Sequence, residues 1–254
     1  MSQIEDSNPY AAAAKRQSRI QNRQSVMMTI GDQEMLPDVP IQSFKLREYD
    51  NIPNYKNDLK VVVVGDGGCG KTSLLVSYCM NRFPTEYEPT IFENYRAYFE
   101  GPGDDITQVF FWDTAGQEEY SRLRPLSYQG ADLMVICFSV NSKVTLSNVV
   151  HTWYPEIKNY CENVPIVLVG LKSDLYEQIT DPATFVERGA AIEVAKEIGA
   201  LAYAECSART MHNVHNVFDI ALSIAVAEKK TPVAEQGRVK VHVAAAEARC
   251  CIIM

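Results

Sequence analysis

Gly65-Asp66-Gly67-Gly68-Cys69-Gly70-Lys71-Thr72 decides how the rest of this chain is read. The stretch fits G-x-x-x-x-G-K-[ST] in the context that gives the pattern a mechanism. It follows the β-branched run Leu59-Lys60-Val61-Val62-Val63-Val64 and precedes a helical stretch from Lys71 to Met80. Glycines let a backbone curl round a phosphate, so that successive N–H groups and the positive end of the following helix point at it. Gly65, Asp66, Gly67, Gly68, Cys69 and Gly70 are therefore read as a phosphate cradle. Lys71 is placed to reach β- and γ-phosphates, the Thr72 hydroxyl to ligate Mg²⁺, and Ser73 to line the same site. A ligand-free glycine turn would explain neither Lys71 nor Thr72.

Working outward, further buried-type strands are read at Thr107 to Trp112, Leu133 to Val140, Val164 to Gly170 and Leu201 to Glu205. Helical stretches lie at Val144 to Cys161, Gly189 to Ile198 and Val214 to Glu228. Asn94 to Glu100 adds a strand joined to its successor by the turn Gly101-Pro102-Gly103. Apolar strands alternating with helices predict an α/β domain of the P-loop NTPase type: a doubly wound, six-stranded, mostly parallel sheet with helices on both faces. In such a sheet ligands bind at the carboxyl edge. Trp112-Asp113-Thr114-Ala115-Gly116-Gln117-Glu118 delivers Asp113 to that edge as a second candidate Mg²⁺ ligand. Gly116 can offer an N–H to a γ-phosphate, and Gln117 can orient an attacking water without being a strong base.

The chain has 254 residues, 46% hydrophobic and 22% charged, a composition of globular rather than disordered or collagen-like proteins. Its longest apolar runs fall far short of the roughly 20 residues a bilayer-spanning helix needs. A formal charge of -8 argues against nucleic-acid binding, which calls for a basic surplus. Seven cysteines without a C-x-x-C pair, and no N-terminal signal, suggest a reducing cytosol and no disulfide framework. His212 and His215 have the i,i+3 spacing of a metal pair but no carboxylate or cysteine partner nearby, and are read as surface residues.

Three segments follow from composition. Residues 1–57, rich in Gln, Asn, Ser and Pro with seven basic and seven acidic residues, are expected to be a flexible extension. Within it, Ala11 to Arg23 could form a basic helix, and Ser2 excludes N-myristoylation. Residues 58–228 form the nucleotide-binding domain, with 12 basic and 23 acidic residues. Residues 229–254, with five basic and two acidic residues, are a basic spacer ending in Cys250-Cys251-Ile252-Ile253-Met254. That ending is a C-a-a-X box whose Met favours a farnesyl group on Cys251. One lipid chain anchors only marginally. Cys250 is a candidate for a second, acyl chain, and the spacer adds attraction to anionic lipid.

Over roughly Asp58 to Glu228 the sequence resembles the Ras superfamily of small GTPases, and Rho-type members in particular, including a fungal branch with an N-terminal extension. Phe83-Pro84-Thr85-Glu86-Tyr87-Glu88-Pro89-Thr90-Ile91-Phe92-Glu93-Asn94-Tyr95 is similar to a Rho-type first switch, and Gln117 to Tyr128 to the second. Trp153-Tyr154-Pro155-Glu156-Ile157 and Asn163-Val164-Pro165 also look like Rho sequence. The resemblance implies that Thr90 gives its hydroxyl to Mg²⁺ and its N–H to the γ-phosphate, that Phe83 packs on the base and that Tyr87 closes over the phosphates. Base selectivity falls to Lys172-Ser173-Asp174 and Cys206-Ser207-Ala208-Arg209. A carboxylate at Asp174 accepts from N1–H and the 2-amino group of guanine, donors that adenine lacks, so GTP is expected rather than ATP. The Lys172 stem lies along the base, Ser207 belongs to the same loop and the Ala208 N–H reaches O6. The chain departs from the family at Leu171, usually Asn or Thr, and at Arg209, usually Lys. The 33-residue interval from Asp174 to Ser207 suggests a reduced form of the Rho insert at Tyr176 to Glu187.

The reading is therefore a Rho-type GTPase that binds GTP/GDP and Mg²⁺ and hydrolyses GTP, with Gln117, Lys71 and Thr90 as catalytic residues. No arginine in the phosphate loop or first switch serves the transition state, Arg82 being read as facing away. Hydrolysis should be slow alone and accelerated up to about 10⁵-fold by an arginine supplied in trans. Phe92, Tyr95, Tyr120, Leu123 and Leu126 are candidate effector or exchange-factor contacts. The resemblance implies a monomer that meets an exchange factor, a GTPase-activating protein, a guanine-nucleotide dissociation inhibitor, effectors and a prenyltransferase. It also implies a lipid-held place on the cytoplasmic face of the plasma membrane or another membrane, with a cytosolic pool, in actin, polarity or cell-wall control. The rivals are a GTP-bound scaffold that does not cycle by hydrolysis, and a P-loop ATPase or nucleotide kinase, which leaves Asp174 unexplained.

Overall fold

The computed structural model describes residues 28–30, 33–35, 40–49, 54–85, 90–101, 103–178 and 183–230. The six expected strands are all present: β4 (Asn57–Gly65), β5 (Phe92–Glu100), β6 (Ile106–Thr114), β7 (Leu133–Ser139), β8 (Ile166–Leu171) and β9 (Ala202–Cys206). Three short strands precede them, β1 (Met28–Ile30), β2 (Gln33–Met35) and β3 (Lys45–Arg47), giving a sheet of order β1-β2-β9-β8-β7-β4-β6-β5-β3. Strands β6, β4, β7, β8 and β9 run parallel, and β5 joins β6 as an antiparallel hairpin. The parallel strands are buried on both faces, which is why they read as continuous apolar runs rather than alternating ones.

Period-two geometry splits β4 between two cores. Val61 and Val63 face a cluster with Leu74, Leu75 and Tyr78 of α1 (Lys71–Met80) and Val217, Phe218 and Ala221 of α5 (Val214–Lys230). Val62 and Val64 face another with Trp153, Ile157, Ala191 and Ala195. Those four come from α3 (Tyr154–Tyr160), the turn before it, and α4 (Arg188–Glu197). Among the described residues no helix is long and apolar enough to cross a membrane.

Two expectations need correcting. The stretch Val144 to Cys161 is not one regular helix. Helix α2 (Lys143–Asn148) passes through a π-type turn at Val149–Trp153 into α3. Pro155 has no N–H to give and its ring crowds the carbonyl four residues back, so the wider turn relieves the clash.

The assignment of all of 1–57 to a flexible extension also fails, because residues 40–49 are docked. Phe44 is 6% exposed within the α1/α5 core, and its N–H donates to Asp219 Oδ1 at 2.8 Å. The Gln42 N–H donates to Ser223 Oγ at 2.8 Å, and β3 pairs antiparallel with Tyr98–Glu100 of β5, where Arg47 meets Glu100. An aromatic residue placed just before a β-capable triplet gives the segment something to bury, which bulk composition averaged away. The 3₁₀ turns of Ser173–Gln178 run into the start of the reduced-insert stretch Tyr176 to Glu187, of which residues 179–182 lie outside the described residues, and α4 begins just past it at Arg188. The Ala11 to Arg23 helix and the C-terminal box lie outside the described residues.

Candidate functional site

Strand β4 lies between β6 and β7, so chain connections leave it in opposite directions and a crevice opens at its carboxyl end. Gly65 ends β4 and turns the chain at φ 144°. A Cβ there would sit 2.3 Å from the Cys137 carbonyl oxygen, so only glycine lets β4 run this close to β7. The loop then delivers Lys71 to the start of α1, 5% exposed, with Nζ donating to Gly65 O at 2.8 Å and Asp66 O at 3.1 Å. The ammonium is thus held over the loop by the loop's own carbonyls.

Thr72 Oγ1 and Thr90 Oγ1 lie 2.6 Å apart, which brings together two hydroxyls separated by 18 residues of chain. Asp113, at the end of β6, is fully buried and neither carboxylate oxygen has a hydrogen-bond partner. Burial pushes its carboxyl up to about 6. An orphaned carboxylate beside two hydroxyls is a hard-oxygen donor set of the kind Mg²⁺ takes, so the residues fit the metal. Among the described residues no three His, Cys, Asp or Glu cluster as a metal site, and His215 instead stacks edge-on against Tyr78.

A cleft of about 960 Å³ is lined by Gly67, Gly68, Gly70, Lys71, Thr72, Ser73, Thr90, Gly116, Gln117 and Lys172. Gly116 comes so close to the phosphate loop that a Cβ would lie 2.3 Å from Gly67 N and 2.4 Å from Gly65 O. Adjoining the cleft, a cavity of about 170 Å³ gathers Phe83, Leu171, Asp174, Ala208 and Arg209, with Gly70, Ser73 and Lys172 shared between the two. Asp174 Oδ1 accepts from the buried Ser207 hydroxyl at 2.6 Å, leaving Oδ2 for another donor. Lys172, at φ 64°, donates from Nζ to Gly68 O at 2.8 Å and so bridges base loop and phosphate loop. Leu171 is 2% exposed and packs towards Gly70 rather than offering a hydrogen bond. Residues 86–89, with Tyr87, lie outside the described residues.

Phe92, Tyr120, Leu123 and Leu126 line an apolar groove of about 300 Å³ together with Ile91 and Trp112. Leu123 and Leu126 are 62% and 74% exposed. Tyr95 is separate: it lines the nucleotide cleft and its hydroxyl donates to Glu93. Sequence reasoning missed Ile91, 63% exposed, although an isoleucine in a polar, Pro-broken loop is itself a signal. It also gave no role to Asn148, Trp153, Glu156 or Arg124. Asp66 Oδ1 accepts from Trp153 Nε1 at 2.6 Å and Oδ2 from Asn148 Nδ2 at 2.7 Å, so the phosphate loop is tied to the π-turned helix.

Fold and cleft together define a P-loop nucleotide-binding protein of the doubly wound class. The chain belongs to the Ras family, whose sequence profile matches residues 60–226. It is 49% identical over 201 residues to GTP-binding protein RHO4 of Saccharomyces cerevisiae, covering 75% of this chain and 68% of that protein. Against the GTP-binding RHO-like protein of Candida albicans it is 45% identical over 216 residues, 85% of this chain and 59% of the other. GTP-binding protein RHO4 of Eremothecium gossypii is 45% identical over 179 residues, 68% and 66% of the two chains. The chain is thus a Rho-type small GTPase that binds GTP/GDP and Mg²⁺ and hydrolyses GTP. Such proteins work with regulators and effectors and are generally membrane-associated.

Proposed function

We propose that this protein is a GTP-operated switch whose two segments around Thr90 and Gly116 are drawn together by the γ-phosphate and relax when it is lost. The observation that carries the reading is the orphaned Asp113 carboxylate beside the paired Thr72 and Thr90 hydroxyls, at the mouth of a loop whose lysine has only backbone carbonyls to hold. Thr72, Thr90 and Asp113 would hold Mg²⁺, which would supply positive charge to offset the charge of the phosphates. Lys71 exchanges its carbonyl partners for those phosphates, and backbone N–H groups from Asp66 to Thr72 enclose them. The Gly116 N–H holds the γ-phosphate and Gln117 orients the attacking water. Asp174 selects guanine, Ala208 and Lys172 fix the base, and Phe83 with Arg209 closes the pocket, Tyr87 covering the phosphates.

The groove formed by Phe92, Tyr120, Leu123 and Leu126 receives effectors and an exchange factor, with Tyr95 at its nucleotide side. A GTPase-activating protein supplies the missing arginine, and a dissociation inhibitor withdraws the protein from the membrane. A prenyltransferase modifies Cys251, with acylation of Cys250 completing attachment to the cytoplasmic face of a membrane in equilibrium with a cytosolic pool. The nucleotide-binding unit is residues 58–228, braced by 40–49, and the spacer 229–254 carries the lipid. Actin organisation, polarity or cell-wall growth is the process we expect.

The test is single-turnover hydrolysis of bound GTP by the full chain and by Gln117→Leu. A loss of at least 10-fold in the variant supports the switch reading. Equal phosphate release would instead indicate a GTP-loaded scaffold.

A further inference from the structure

The second switch contains two arginines close in sequence with opposite fates. Arg122 is exposed, whereas the Arg124 side chain is 3% exposed and each of its three nitrogens has a partner. Nε donates to Glu156 Oε1 at 2.9 Å and Nη2 to Glu156 Oε2 at 2.7 Å, a two-pronged pair. Nη1 donates to Ala115 O at 2.9 Å and, more weakly, to Gln117 O at 3.4 Å. The guanidinium lies 4.4 Å from the centre of the Trp153 ring, whose N–H holds Asp66. Tyr128 OH donates to the same Glu156 oxygen that receives Nε.

The two carbonyls that Nη1 touches bracket Gly116 and Gln117. Each belongs to a peptide plane, so pinning both limits how the backbone between them can rotate, although Glu118 and Glu119 beyond it are exposed. Burying an arginine and a glutamate is costly, and a well-packed apolar pair would serve stability as well. What an apolar pair could not do is donate to two carbonyls of a neighbouring loop while gripping a helix. Through Trp153 and Asp66 the same cluster is registered against the phosphate loop, so it fixes the glutamine relative to the phosphates rather than merely within its own loop.

We propose that Arg124 is a positioning residue for GTP hydrolysis: anchored by Glu156 and Trp153, it sets the backbone of Gly116 and Gln117 and thereby the aim of the Gln117 side chain. The proposal rests on the reading of Gln117 as the residue that orients water. A displacement of about 1 Å in a reacting group costs on the order of 100-fold, so partial loss of this hold should cost about 10-fold to 100-fold in the rate.

The test uses the full chain loaded with GTP and Mg²⁺, comparing wild type, Gln117→Leu, Arg124→Lys, Glu156→Gln and Arg124→Lys combined with Gln117→Leu. Single-turnover phosphate release, GDP dissociation rate and melting temperature with nucleotide bound are read for each. Arg124→Lys keeps the charge but loses the fork. Glu156→Gln keeps the shape and reads the same hold if the lysine variant does not fold. We expect either single change to slow hydrolysis about 10-fold or more with GDP dissociation within about twofold of wild type, and Arg124→Lys to add nothing once Gln117 is leucine. An unchanged rate in both Arg124→Lys and Glu156→Gln, beside a loss in Gln117→Leu, overturns the proposal alone. So does a rate that falls only in step with melting temperature and nucleotide retention, or an equal further loss in the Gln117→Leu background. Wild-type hydrolysis by Gln117→Leu overturns the underlying reading and the proposal with it.

Discussion

Truncating Phe44 to alanine tests whether residues 40–49 belong to the folded domain. The ring is 6% exposed, packs in the core shared by α1 and α5, and lies where a Cβ on Gly101 would come within 3.3 Å of it. Large-to-small changes of buried phenylalanines cost about 3–5 kcal/mol. A peripheral segment sets its own ceiling, however, because once the loss exceeds the free energy with which the segment docks, the segment detaches and the cost stops rising. The lower end, about 3 kcal/mol, is therefore expected, equivalent to a fall of about 6–12 °C in melting temperature for a domain of this size. The control is Ile41→Ala in the same segment, where 38% exposure limits the loss to about 1 kcal/mol or less. Urea unfolding should be followed at a fixed saturating concentration of GDP and Mg²⁺, since bound nucleotide adds its own stabilisation. The Gln42 and Phe44 amides, which donate to Ser223 and Asp219, should exchange faster with deuterium in Phe44→Ala and not in Ile41→Ala. A midpoint shift for Phe44→Ala no larger than that for Ile41→Ala would refute the docked segment and restore a tail that is mobile throughout.

Burial holds the Asp113 carboxyl up near 6 when no metal is bound, so protons compete with Mg²⁺ as pH falls through that value. Release of a fluorescent guanine nucleotide at limiting Mg²⁺ should therefore accelerate between pH 7 and 5, and Asp113→Asn should be fast and flat across that range. Asp174→Ala leaves two guanine donors without their acceptor, costing about 2–6 kcal/mol of GTP affinity. Because inosine triphosphate lacks the 2-amino group, the preference for GTP over it should vanish in the variant when measured by competition. Gly116→Ala drives a methyl group into Gly67 N and Gly65 O, both backbone atoms that cannot step aside, and should slow single-turnover hydrolysis about 100-fold. Gly189→Ala, with nothing within 4 Å of its new Cβ, should leave that rate unchanged.

The chain's order of β-branched runs and helical stretches was enough to determine six strands, a mostly parallel sheet and the crevice at β4, because period and connection rules act locally and leave few topologies. The Lys71, Thr72, Asp113 and Asp174 motifs were legible for a similar reason, because the residue types we propose for nucleotide and metal binding follow from the chemistry of that ligand rather than from the packing around them. Long-range placement was a different matter. That Phe44 finds a pocket made by α5, some 175 residues away, depends on a shape that no local pattern encodes. That Tyr95 turns away from the other groove residues follows from strand pairing in β5. That Arg124 is buried while Arg122 is exposed depends on Glu156 arriving from a helix widened ahead of Pro155. A charged side chain can leave water only when several partners from distant segments converge on it, and convergence exists only once the chain has folded.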